Sequence, residues 1–318
     1  MSAQKPSEAI KIEPLQEKDL AETDRVFRLA FGTFIGLPDP GSFAAGAEYI
    51  RTRWKTAPEA FFAAKHNDRL VGSNFATNWG SVGFFGPLTI HPEYWDQGIG
   101  QRLLAPVMEM FSHWGTKHAG LFTFAQSSKH VGLYQKFGFW PRFLTAIMSL
   151  QVNPARTGIQ WKKFSDASET QEWLVSCRDL TTEVFEGLDL EREIVAVEQQ
   201  KIGDTVLLLE DARLVGLAIC HCGAGSEAGP DTCYVKFGAV RLGTDAATRF
   251  DQLISACEEL AGERGLSRLS AGVNTGRIEA YQRMLERGFR TDFQGVAMHR
   301  PNEQGYNRPG VYAMDDWR

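Results

Sequence analysis

The 318-residue sequence contains no run of about 18 apolar residues, so no stretch reads as a membrane-spanning helix. Its opening residues, MSAQKPSEAIKIEPL, lack the apolar core of a secretory signal, so none is expected. Cysteine is scarce: five residues, an odd count without framework spacing, which suits a reducing cytoplasm. A basic excess is also missing. The chain carries 34 Lys+Arg against 39 Asp+Glu, a net charge of −5, which argues against a nucleic-acid partner. The imbalance sits in the second half, where residues 151–318 hold 19 basic and 26 acidic side chains. That asymmetry suits either a cationic acceptor or simply a solvated surface.

What is present is enough apolar material, 43% of the residues, for two ordinary cores. The most informative stretch is 87–115, PLTIHPEYWDQGIGQRLLAPVMEMFSHWG. It reads as a strand end, a short loop holding Gly98 and Gly100, and a helix. Ile99, Leu103, Leu104, Val107, Met110, Phe111 and Trp114 recur at the helical period and form one core-facing stripe. Pro106 lies inside that helix and predicts a kink rather than an end, because the period continues beyond it. A helix start presents unpaired N–H groups and the positive end of a dipole. Two residues without Cβ there let a phosphate or pyrophosphate approach the backbone.

Two phosphate signatures are excluded by single residues. A dinucleotide loop needs a third glycine where this chain has Leu103, and a Walker loop needs Gly-Lys-Ser/Thr where it has Gly100-Gln101-Arg102. What remains is Gln97-Gly98-Ile99-Gly100 opening a helix, followed about thirty residues later by SSKHVGLYQKFGF over 127–139. Together these segments resemble the GNAT N-acetyltransferase superfamily. Its first motif is Arg/Gln-x-x-Gly-x-Gly/Ala, and its later helix reads roughly Asn-x-x-Ala-x-x-Leu-Tyr-x-x-x-Gly-Phe. Leu133-Tyr134 and Gly138-Phe139 match, whereas Trp95, Ser127 and His130 depart from the pattern.

The resemblance implies an α/β (α+β) fold with a mixed, mostly antiparallel twisted sheet flanked by helices. It implies acetyl-CoA lying in a gap between a strand over 82–90 and a strand over 121–125. Backbone groups of Leu88, Thr89 and Ile90 would meet the pantetheine arm, and amides of Asp96, Gln97, Gly98, Ile99, Gly100 and Gln101 the pyrophosphate. Ser127 would stand in for the family's Asn. Tyr134 would donate a proton to the departing sulfur as acetyl passes to a small-molecule or peptide amine. His91, Glu93 and Asp96 lie near the strand end as alternative general bases, with nothing to choose among them. The departures also keep open a non-catalytic acyl-CoA-binding protein.

The plan repeats. Asp68-Arg-Leu-Val-Gly72 recurs as Ala212-Arg-Leu-Val-Gly216, and Gly138-Phe139 recurs as Gly288-Phe289. The expected division is an acetyltransferase domain over 1–152 and a degenerate GNAT-like domain over 153–318, joined near Pro154 across an apolar surface. In the second copy Thr248-Arg249-Phe250 stands where the first has Gly98-Ile99-Gly100, with Phe250 at the second glycine, and Met284 takes the place of Tyr134, so that copy is expected to bind no cofactor. Its core should include Leu253, Ile254, Leu260, Ile278 and Leu285. Cys220, Cys222 and Cys233 could share a strand surface as metal ligands, but His221 would point the other way, and buried thiols are the simpler reading.

Overall fold

In a computed structural model the described residues are 10–153 and 158–318; most of the expected linker, 154–157, lies outside them. The first half runs β1 (Ile10–Pro14), α1 (Leu20–Ile35), α2 (Tyr49–Thr56), β2 (Phe61–His66), β3 (Arg69–Trp79), β4 (Val82–Phe85), β5 (Thr89–Ile90), α3 (Ile99–Trp114), β6 (His118–Thr123), α4 (Ser128–Gln135) and β7 (Trp140–Gln151). The second runs β8 (Trp161–Lys163), α5 (Thr170–Val184), α6 (Glu191–Gln200), β9 (Gly203–Glu210), β10 (Arg213–Cys222), β11 (Thr232–Val240), α7 (Ala246–Glu263), β12 (Arg268–Asn274), α8 (Ile278–Glu286), β13 (Arg290–Arg300) and β14 (Ala313–Met314).

The repeated strings mark equivalent places. Asn67-Asp68 and Asp211-Ala212 both turn with positive φ, the geometry a two-residue hairpin needs, and so deliver β3 and β10 in the same way. Alternation along the strands then sorts side chains to opposite sides. Phe61, Ala63, Leu70 and Phe75 pack beneath α1 and α2 with Val26, Phe27 and Ile50. Ala64 and Val71 pack on the other side with Ile99 and Leu103 of α3. The α3 stripe is buried as its period requires, and the helix continues through Pro106.

Ile278 and Leu285 do not join the core. They are 46% and 38% exposed, and α8 buries Ala280 and Met284 instead. Those two are four residues apart, so they occupy one face, while Ile278 and Leu285 lie off it.

The sheet is continuous in the order β1-β2-β3-β4-β6-β13-β7-β12-β11-β10-β9-β8, with β5 on β3 and β14 on β11. Among the described residues only β4–β6 and β11–β12 pair in parallel. The halves exchange their long late strands. β13 of the second half pairs with β6 of the first, and β7 of the first pairs with β12 of the second. The two exchanged strands also pair with each other.

The junction is therefore not simply an apolar surface. Trp79, Val82 and Phe84 do pack with Leu180, Ile194 and Phe237 across it. Beside them lies a buried ionic chain. Arg53 meets Glu227 at 2.6 Å, Glu227 meets Lys236 at 2.8 Å, and Lys236 meets Glu193 at 3.0 Å. The Arg53 and Lys236 cations hold the Glu227 carboxyl well below the usual range despite burial, which opposes ionisation. Glu227→Ala should lower stability by about 3–5 kcal/mol, because two buried cations lose their common partner. Chemical denaturation of the full chain measures this; a loss under about 1 kcal/mol would mean water replaces the carboxylate.

Candidate active site

β4 and β6 lie side by side only over Val82–Phe84 and His118–Gly120. Beyond Gly86 the first strand turns aside, and Thr89 and Ile90 pair with Ser73 and Gly72 of β3 instead. The expected single strand over 82–90 is therefore broken, and the break opens a gap between Leu88–Ile90 and the end of β6. Sheet alternation cannot encode such a divergence; the Gly86-Pro87 pair is its local sign.

At one end of the gap is the loop before α3. Gly98 caps the helix with φ +74°, a left-handed conformation that disfavours a side chain, and the space where its Cβ would stand is open. Among the described residues no backbone N–H from Asp96 to Gln101 donates a hydrogen bond within the protein. That row of donors at the start of a sixteen-residue helix suits a pyrophosphate. Gly100 also has a packing role. A Cβ there would come within 3.3 Å of Leu133 and 3.4 Å of Ile90, so its smallness lets α3 approach α4 and β5.

Trp95, which replaces the family's Arg/Gln, donates its indole N–H to the Ile90 carbonyl at 2.7 Å and carries Lys129 5.8 Å above its ring. It ties the loop to β5. The Ile90 carbonyl is thereby already an acceptor within the protein, and Thr89 is paired with Ser73 of β3, its hydroxyl also lying 2.9 Å from that of Ser73, which leaves Leu88 as the freer part of that edge. Ser127 caps α4, its Oγ accepting from the His130 N–H at 3.4 Å. It replaces a longer Asn and is used locally.

Tyr134 lies under the gap. Its ring packs edge-on against Phe85 of β4 at 5.6 Å, and its hydroxyl is hydrogen-bonded to Thr123 at the end of β6. Burial raises its pKa well above the usual phenol value, so the hydroxyl keeps its proton at neutral pH. The base candidates fare unequally. His91 is buried, accepts from the Glu93 N–H, and is held below its usual pKa by burial. Asp96 is paired with Lys129 at 2.6 Å, and the Glu93 carboxylate is 3.8 Å from His91.

The equivalent gap in the second half is filled. β11 and β12 pair over Thr232–Val235 and Arg268–Ala271 and then part. Between them β14 pairs with Gly238 and Ala239 of β11, and Asp316 lies so close to Gly272 of β12 that a Cβ there would be 2.2 Å from its own. Met284, in the place of Tyr134, is fully buried. Nothing in the pattern of residues 311–317 foretold this placement; only a short apolar strand was legible there.

Cys222 and Cys233 approach to 3.9 Å, as do Cys220 and Cys257, and burial pushes the Cys177 thiol up to about 12. Cys220 and Cys233 face α7, which carries Cys257, while His221 points away and accepts from the Glu227 N–H.

Residues 24–139 match the sequence model of the acetyltransferase (GNAT) family. A comparison with curated proteins finds no match. Among solved structures, the chain is similar to a putative acetyltransferase from Pyrococcus horikoshii at 13% identity, covering 97% of this chain and 95% of that one with a TM-score of 0.69. It is also similar to a GCN5-related N-acetyltransferase from Sphaerobacter thermophilus, at 13% identity over 95% and 97% of the two chains, TM-score 0.61. A tandem GNAT protein from the clavulanic acid biosynthesis pathway aligns at 11% identity over 91% and 98%, TM-score 0.54. The family match thus falls within the first half, and the fold shared with these structures extends over nearly the whole chain. Among the described residues no helix is long and apolar enough to cross a membrane.

Proposed function

We propose that this GNAT-type chain transfers an acetyl group from acetyl-CoA to an amine, in the first half only. The observation that carries the reading is the gap between β5 and β6, with unpaired amides of Asp96–Gln101 at one end and a protonated Tyr134 beneath the other. The amides would receive the pyrophosphate, the free edge at Leu88 the pantetheine arm, and the gap the thioester. The neutral amine adds to the thioester carbon to form a tetrahedral centre. As the C–S bond breaks, the sulfur takes the electron pair and Tyr134 supplies its proton, so thiol rather than thiolate departs. The nitrogen, cationic after addition, gives up one proton to solvent, and the tyrosine regains one from solvent, so the products are the neutral amide and the thiol.

The second half has the role of a structural partner, because β14 and Asp316 occupy its own gap. We expect calorimetry to give one acetyl-CoA per full-length chain. Two equivalent sites would overturn the assignment to one half. Binding without thiol release on any amine of a broad panel would favour the non-catalytic reading.

A further inference from the structure

The two sides of the gap differ in chemistry. The amides of the α3 loop and Tyr134 lie on the α3/α4 side. An acceptor meeting the same thioester carbonyl must come from the α1/α2 side. There α1 lies against β5 and reaches across toward the end of β6. What it presents is aromatic. Phe31 stacks on Phe43 at 5.2 Å and meets Phe124 at 6.1 Å; Phe34 lies 4.9 Å from both Phe124 and His130. All five rings are only partly buried. Phe124 follows Thr123, the partner of Tyr134, and His130 is one helical turn before Tyr134 on the same face. The wall therefore borders the reacting position.

Counter-charge for a cationic acceptor is missing from these segments. Between residues 31 and 47 the only acid is Asp39, whose carboxylate accepts from the Gly41 N–H at 3.1 Å. Residues 118–131 contain none. Arg28, behind the wall, is bound by Asp24 and by the carbonyls of Phe43, Ala44 and Ala47. Lys129 is paired with Asp96. Burial and then Lys129 hold His130 below its usual pKa, so it adds no positive charge at neutral pH.

We propose that the acceptor is a primary amine carried on an aromatic or other apolar body, seated on Phe31, Phe34, Phe43 and Phe124. This rests on the acetyl-transfer reading above. Such a wall has a chemical use as well as a binding one. Desolvation disfavours the charged form of an amine, so the wall raises the fraction of neutral nucleophile. That lessens the demand on a dedicated base, for which His91 and Asp96 are poorly placed.

The test is thiol release by the full-length protein with acetyl-CoA and a panel comprising 2-phenylethylamine, hexylamine, spermidine, glucosamine and a lysine-containing peptide. We expect kcat/KM for 2-phenylethylamine and hexylamine to exceed that for spermidine and the peptide by about 10- to 100-fold, the range set by burying one apolar group. Phe34→Ala should cut the aromatic rate about tenfold, and Phe34→Glu should reverse the order in favour of spermidine. Phe124→Glu provides the same comparison should Phe34 variants fail to fold. A wild-type preference for spermidine, glucosamine or the peptide overturns this inference and leaves the acetyl-transfer reading standing. No thiol release with any amine overturns the reading itself, and the inference with it. An unchanged order in Phe34→Glu or, failing that, Phe124→Glu refers the wall to packing and overturns the inference.

Discussion

Tyr134→Phe should reduce turnover by about 10²- to 10⁴-fold while leaving acetyl-CoA affinity within a few-fold, the loss typical of removing a positioned proton donor. The ring would keep its edge contact with Phe85, so folding should change little. Only the hydroxyl bonded to Thr123 is lost. Because burial raises that hydroxyl's pKa, it is fully protonated through neutral pH, and the expected defect is the same from pH 6 to 8. Single-turnover rates with calorimetric affinities separate the two effects. An unchanged chemical rate would make Tyr134 a core side chain whose hydroxyl is merely satisfied. Thr123→Val is the companion measurement: it should lower the rate less, because the hydroxyl remains but loses its orientation.

Residues 1–152 expressed alone should aggregate or lose activity, although they contain every proposed contact to acetyl-CoA. The reason is the strand exchange. Among the described residues β7 pairs only with β12 and β13, both of the second half, and β6 would keep only its partner β4. The fragment would expose the edge of β6, the whole of β7, and apolar residues such as Leu121 and Met148 that are buried in the full chain. Unpaired edges with apolar flanks are templates for association. Phe84 would lose Trp317, which stacks on it at 6.5 Å, and Arg53 would lose Glu227. Arg53 donates to the Gly86 carbonyl at 2.9 Å, at the point where the gap opens, so the injury reaches the site. Size-exclusion chromatography and thiol release test this. A monomeric fragment with full activity would show that β7 can fold back onto β6 and that the exchange is dispensable.

The local chemistry of the site was legible in the sequence. The α3 stripe, the loop glycines and the position of Tyr134 depend on residues close together in the chain, and the periodicity that buries Leu103 and Val107 is the one that exposes Gln101. Roles needing a distant partner were less so. That Gly100 also lets Leu133 and Ile90 pack against α3 is seen only in the assembled fold. That the Ser127 oxygen caps α4 is likewise seen only there. The aromatic residues near 31–43 show no pattern until Phe124 and His130 close on them from 90 to 96 positions away, a separation no window of periodicity spans.

By itself, then, the sequence determined the elements, the two hairpin turns, the repeated plan and the loss of the loop glycines and tyrosine in the second copy. Each follows from the preferences of neighbouring residues. The tertiary structure decided which strand lies beside which. Alternation along β7 and β13 names the face each strand buries but not its neighbour, since a backbone edge pairs equally well with any strand of suitable length. Only the assembled sheet places β13 between β6 and β7 and lays β14 in the second gap. One gap is thereby left open beside Tyr134, and the other is filled by the chain itself.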